Sequence, residues 1–175
     1  MVIWITGLSG AGKTTLSAAL FDLLKPRLPE LVLVDGDAIR AMFGASPDFS
    51  ESGRMTQVKR IQALAHYLSS QGLVVIVAAL YAHPDLLAWN RANLPDYFEV
   101  YIEAPLDLVR ARDAKGLYEK AARGEIPHVV GVDIPWHAPT RPDMVIDAAC
   151  ADTPAAIARR VAKAVPRLAA ALATA

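Results

Sequence analysis

Residues 7–15, GLSGAGKTT, constrain this chain more than any other stretch. They match G-x-x-x-x-G-K-[ST], with Gly7 and Gly12 as the fixed glycines, Lys13 as the lysine and Thr14 as the hydroxyl residue. Glycines let the backbone turn tightly and bring its N–H groups close to phosphate oxygens, at a helix N-terminus whose dipole also favours negative charge. The candidate phosphate cradle is therefore Gly7, Leu8, Ser9, Gly10, Ala11, Gly12, Lys13, Thr14 and Thr15. Lys13 reaches the β- and γ-phosphates of a nucleotide such as ATP, and the Thr14 hydroxyl is suited to ligate Mg²⁺. The flanks decide whether the match is real. Residues 2–6 (VIWIT) form a short β-rich apolar run, and Leu16, Ala19, Leu20, Leu23 and Leu24 follow at helical spacing. A chance glycine-rich turn has no reason to sit between a strand and a helix.

The rest of the chain alternates strand and helix. Residues 31–34 predict a second strand ending at Asp35-Gly36-Asp37, where open α/β sheets place their chemistry. An isolated DGD is first a turn and a helix cap, but downstream of a phosphate loop the catalytic reading gains weight. A short helix over 38–43 carries Arg40, and 44–48 reads as a loop before Phe49. The next helix starts near Ser50 or Ser52 and runs to Ser70, with Val58, Ile61, Leu64, Ala65 and Leu68 toward the core and Lys59 and Arg60 on other faces. Arg54 falls in its first turn, where a cation opposes the helix dipole, and so invites another use. Residues 73–79 are the most apolar strand and are expected at the centre of a parallel sheet. A helix from Pro84 to about Asn93, a strand over 97–103 and a helix over 105–112 follow.

Residues 113–139 change character, being long, polar and rich in Gly and Pro. Such a loop in a compact domain is a linker or a functional lid, and its Lys115, Tyr118 and Trp136 favour a lid over an anionic, ring-bearing ligand. A last strand at 144–146 and an Ala-rich helix over 153–173, kinked at Pro166, complete the chain. The pattern predicts an α/β fold: a P-loop NTPase-type parallel sheet with helices on both faces, as one domain spanning 1–175 with a lid at 113–139.

Composition narrows the partners. Eighteen basic and eighteen acidic residues cancel without a long basic run, which gives no footprint for nucleic acid. No apolar run approaches the roughly 18 residues of a membrane span, and the chain opens on its first strand without the pattern of a signal peptide. One cysteine, Cys150, forms no internal disulfide and fits a reducing cytoplasm. His66, His83, His128 and His137 share no metal-ligand spacing and read as surface or lid residues.

In order and spacing, VIWITGLSGAGKTT, VDGDAIR, FSESGR, ARDAKGLYEKAARGEI, GVDIPWHAP and PDMVID resemble the adenylylsulfate kinases (APS kinases) over nearly the whole chain. Those enzymes transfer the γ-phosphate of ATP to the ribose 3′-hydroxyl of adenosine 5′-phosphosulfate. The resemblance implies ATP and Mg²⁺ as cofactors, with a small nucleotide as acceptor. Asp37 would be the general base and Asp35 would lie nearer the metal with Thr14, although the two could exchange roles. Lys13 and Lys115 would balance charge on the transferred group, and Arg112 would join the nucleotide-holding residues. Arg40 and Arg54 match arginines that hold the acceptor's phosphosulfate end, and Phe49 matches the ring that stacks on its base. A homodimer, common among related kinases, is left open.

The departures fall on the acceptor side. Gln57 stands where the family has asparagine, Tyr81-Ala82-His83-Pro84 replaces a serine-proline-tyrosine-arginine segment, and Val129 replaces the lid phenylalanine that completes the adenine sandwich. Gln57, Tyr81 and Val129 are therefore candidate acceptor-binding residues, and a pyrimidine fits the altered pocket as well as adenine does. Three functions follow: 3′-phosphorylation of adenylylsulfate, the same reaction on cytidine diphosphoramidate in capsule biosynthesis, or a nucleotide-dependent switch with little transfer activity.

Overall fold

A strand interior to a parallel sheet is covered on both faces, so it tends to be apolar along its length. Two strands are buried throughout: β1 (Val2–Thr6), apolar but for Thr6, whose hydroxyl donates to the Leu80 carbonyl at 3.2 Å, and β3 (Val74–Ala78). In the computed structural model, which describes residues 1–44, 48–113 and 115–173, both are interior. With β2 (Leu31–Asp35), β4 (Tyr97–Glu103) and β5 (Met144–Asp147) they make one five-stranded sheet of order β2-β3-β1-β4-β5, every pair parallel. The centre belongs to β1, not to the strand at 73–79 as its apolarity suggested. Apolar content reports cover on two faces, and β1 and β3 share that equally.

Helices cover both faces of the sheet. Helix α1 (Lys13–Leu24) packs with α7 (Pro154–Ala164) and α8 (Pro166–Ala173). Helix α3 (Glu51–Ser70) packs on β3 with α2 (Gly36–Met42) and α4 (Pro84–Asn93) beside it. Short polar side chains start them. Asp35 caps α2, the Ser50 hydroxyl accepts from Gly53 N–H, and Thr153 caps α7 ahead of Pro154. Among the described residues, no helix is long and apolar enough to cross a membrane.

Two expectations need correction. The terminal helix is not one kinked rod. Val165 is extended, with φ −105° and ψ 112°, so Pro166 ends α7 and begins α8, because the proline ring disfavours a helical residue before it. Nor is 113–139 a bare loop. After α5 (Leu106–Arg112) it contains α6 (Leu117–Ala122) and a bridge between Val130 and Ile134. The Asp113 carboxylate accepts from the N–H groups of Leu117, Tyr118 and Glu119, and Tyr118, Val129, Val130 and Ile134 are buried in the core. Residues 45–47 of the loop expected at 44–48 lie outside the described residues, as does Ala114.

A buried polar chain ties α3, α4 and β4 together. Gln62 Nε2 donates to Asn90 Oδ1 (2.7 Å), Asn90 Nδ2 to the Tyr97 hydroxyl (3.2 Å), and that hydroxyl to Glu99 Oε2 (2.8 Å). Burial raises the pKa of Glu99 above the usual carboxylate value, with Tyr97 and Arg91 acting against it. Replacing Tyr97 by Phe removes one partner from each of two buried groups, and a buried group left unsatisfied costs about 1–3 kcal/mol. Tyr97→Phe should lower the urea-unfolding free energy by that amount while leaving nucleotide binding unchanged. A loss below about 0.5 kcal/mol would show that the chain is not a structural tie.

Candidate active site

The phosphate loop leaves β1 at Gly7, where a Cβ would lie 2.7 Å from the carbonyl oxygen of Ile102. Only glycine lets the loop lie this close to β4. Gly12 then enters α1 with φ 109°, and α1 has neither a side-chain cap nor an acid in its first turn. Its positive end is thus left to an anion. Lys13 keeps part of its surface in water, but its ammonium folds back and donates to the Leu8 carbonyl at 2.8 Å. Loss of solvent lowers its pKa to about 8, with Asp37 opposing and Lys115 adding to the shift. A phosphate beside it would raise that pKa again.

Asp35 links this loop to the second strand. Its Oδ1 accepts from the N–H groups of Asp37 (2.9 Å) and Ala38 (3.1 Å), and its Oδ2 accepts from the Thr14 hydroxyl at 3.2 Å. A hydroxyl and a carboxylate oxygen side by side are hard donors of the kind that hold a largely hydrated Mg²⁺, so these residues fit that ion. Asp37 stands in the first turn of α2, exposed, and its Oδ2 receives Lys115 Nζ at 2.7 Å. The Tyr118 hydroxyl donates to the Ser9 carbonyl at 3.1 Å, tying the 113–139 segment to the phosphate loop as Lys115 ties it to α2.

A cationic aromatic patch lies beyond Asp37. The Arg40 and Arg54 guanidinium carbons stand 4.5 and 5.6 Å from the centroid of Phe49, which is 54% exposed. Arg54 also donates to the His128 carbonyl at 2.6 Å. Among the described residues its Nε and Gln57 Oε1 are buried without a partner, although Gln57 Nε2 donates to the Gly36 carbonyl at 3.3 Å. Unmatched buried polar atoms beside an exposed ring are what a polar, ring-bearing ligand would complete. Tyr81 is buried and gives its hydroxyl to Glu51 Oε1 at 2.6 Å; loss of solvent and that bond push its phenol pKa up.

The structure thus joins Lys13, Thr14, Asp35, Asp37 and Lys115 around one loop, and Arg40, Phe49 and Arg54 beside it. Val129 is 1% exposed and follows the His128 carbonyl that Arg54 holds. Arg112 stands apart, donating to the Ala148 carbonyl at 2.7 Å. Sequence reasoning missed Asp133, whose carboxylate accepts from the N–H groups of both His128 and Val129 and so fixes that turn. An aspartate four or five residues after a turn was the available signal. Tyr118 was read as lid, but its bond to Ser9 was not legible. A cleft of about 650 Å³ opens on the other side of Leu8, between Tyr101, Glu103, Leu106 and Trp136. Glu103 and Asp147 in its wall do not favour phosphate there.

Comparison with known proteins agrees with this geometry. The family model for adenylylsulphate kinase matches residues 1–147. The adenylyl-sulfate kinase of Deinococcus deserti is 45% identical over 143 residues, covering 82% of this chain and 79% of that protein. The cytidine diphosphoramidate kinase of Campylobacter jejuni is 39% identical, covering 85% of this chain and 86% of that protein. The Mycobacterium tuberculosis APS kinase, solved in complex with AMPPNP and APS, superimposes with a TM-score of 0.83 at 31% identity, covering 93% of this chain and 95% of that one. With its phosphate loop and aspartate pair in place, the chain belongs to the adenylylsulphate kinase family.

Proposed function

We propose that this single kinase domain transfers the γ-phosphoryl group of ATP to the ribose 3′-hydroxyl of adenosine 5′-phosphosulfate. The observation that carries the reading is the contact between Asp37 and Lys115 beside the Thr14–Asp35 pair. A carboxylate and a cation paired beside the loop that would hold the phosphoryl group support transfer to an acceptor there. Asp37 accepts the proton of the 3′-hydroxyl as its oxygen bonds to the γ-phosphorus and the bond to the ADP oxygen breaks. Lys13 and Lys115 balance the charge on the transferred group. Thr14 and Asp35 would hold Mg²⁺, which neutralises phosphate charge when bound. Arg40 and Arg54 take the anionic 5′ end of the acceptor, and Phe49 stacks on its base. Arg112 would serve the nucleotide from its place near Ala148. The protein would act in the cytoplasm, and a homodimer is the assembly we favour.

A second reading changes only the acceptor. Val129 replaces the ring that would close a sandwich on adenine, and Gln57 and Tyr81 also depart from the family pattern. The Campylobacter jejuni relative is a cytidine diphosphoramidate kinase. A pyrimidine needs less stacking area, so cytidine diphosphoramidate is the rival acceptor.

With Asp37 as base, Asp37→Asn should lower turnover by about two to four orders of magnitude while Mg·ATP binds nearly as before. Unchanged turnover would remove it from the mechanism. If Val129 relaxes base selection, Val129→Phe should improve kcat/KM for adenine acceptors over cytidine ones by about fivefold or more. An unchanged ratio would dismiss the pocket as the source of selectivity.

A further inference from the structure

Glu51, His83 and His137 come from three distant stretches: the first turn of α3, the residue that caps α4, and the segment just after Trp136. No spacing rule joins them. In the fold, ligand atoms of all three lie within 4.8 Å of one another. The two imidazole rings meet edge-on, with centroids 5.2 Å apart and planes at 74°. Among the described residues, no hydrogen bond joins any two of the three, so the groups converge without satisfying one another. Donors around a tetrahedral ion with bonds of 2.0–2.1 Å are about 3.3–3.5 Å apart, within reach of modest side-chain rotation.

The surroundings orient the set. The Tyr81 hydroxyl donates to Glu51 Oε1 at 2.6 Å and leaves Oε2 available. His83 Nδ1 faces Asp85, accepting weakly from its N–H at 3.3 Å and lying 3.7 Å from its carboxylate. Coordination through Nε2 would move the ring proton to Nδ1, so the weak bond from the Asp85 N–H would give way as that proton turns to the carboxylate, the usual support behind a metal-bound imidazole.

We propose that Glu51, His83 and His137 form a binding site for a zinc-class divalent cation, with one coordination position left for water. Two imidazoles select against Mg²⁺, which separates this site from the Thr14–Asp35 pair. The bound ion would fasten the end of the 113–139 segment to α3 and α4, beside Tyr81. The inference is independent of which acceptor the kinase uses.

The test takes untagged full-length protein stripped with chelator and titrated with Zn²⁺ against a chromophoric competitor, with melting temperature and Co²⁺ visible absorption as further readouts. One equivalent should bind, Tm should rise, and Co²⁺ should show the intense bands of a four- or five-coordinate site. The His83→Ala/His137→Ala double variant should bind at least a hundredfold more weakly and lose the Tm shift, yet bind Mg·ATP as before. Asp85→Asn should weaken Zn²⁺ by about tenfold. Should the double variant fail to fold by circular dichroism, Glu51→Gln, which keeps an acceptor for Tyr81, decides in its place. Zn²⁺ binding no tighter than in the deciding variant, or octahedral Co²⁺ spectra in both, would overturn the proposal.

Discussion

The carboxylate of Asp35 is where the fold and the candidate chemistry meet. One oxygen starts α2 by accepting from Asp37 and Ala38, and the other holds the Thr14 hydroxyl at the start of α1. Strand β2 is thereby fixed against the phosphate loop, although β2 and β1 are separated in the sheet by β3. Capping α2 also sets the direction of Asp37, which follows two residues later. A side chain that needs both oxygens for structure leaves the base role more naturally to its exposed neighbour.

The segment at 113–139 combines firm anchors with one weak tip. Asp113 and Asp133 satisfy backbone N–H groups at its turns, and Tyr118, Val129, Val130 and Ile134 are buried. Lys115, by contrast, meets Asp37 in an exposed pair, and such pairs contribute at most about 1 kcal/mol. In the proposed reaction a bound phosphate would compete easily for that ammonium and free Asp37 for an incoming hydroxyl. The segment need not unfold for Lys115 to exchange partners.

Much of this was legible because local chemistry dictated it. The loop glycines, the Ser50 cap, and Pro84 opening α4 mark their elements directly, and α4 (Pro84–Asn93) and β4 (Tyr97–Glu103) fell where periodicity placed them. Strand order was not legible, since β1 and β3 both read as apolar runs and differ only in their neighbours. Helix α6 was hidden because its cap, Asp113, bonds across the glycine turn at Gly116 instead of preceding the helix in the familiar pattern. The meeting of Glu51, His83 and His137 is purely tertiary, with residues 32 and 54 positions apart that no spacing rule connects. The aspartate pair was legible as a candidate site, but the different bonds of its two members were not.

The most direct measurement is ADP release from Mg·ATP by the purified protein, with adenosine 5′-phosphosulfate, with cytidine diphosphoramidate and with no acceptor. The account predicts strong stimulation by a nucleotide acceptor over the acceptor-free rate, greatest with adenosine 5′-phosphosulfate. Stimulation by cytidine diphosphoramidate alone would transfer the same chemistry to the rival acceptor. The same slow release in all three reactions would contradict the kinase mechanism built on Asp37 and Lys115.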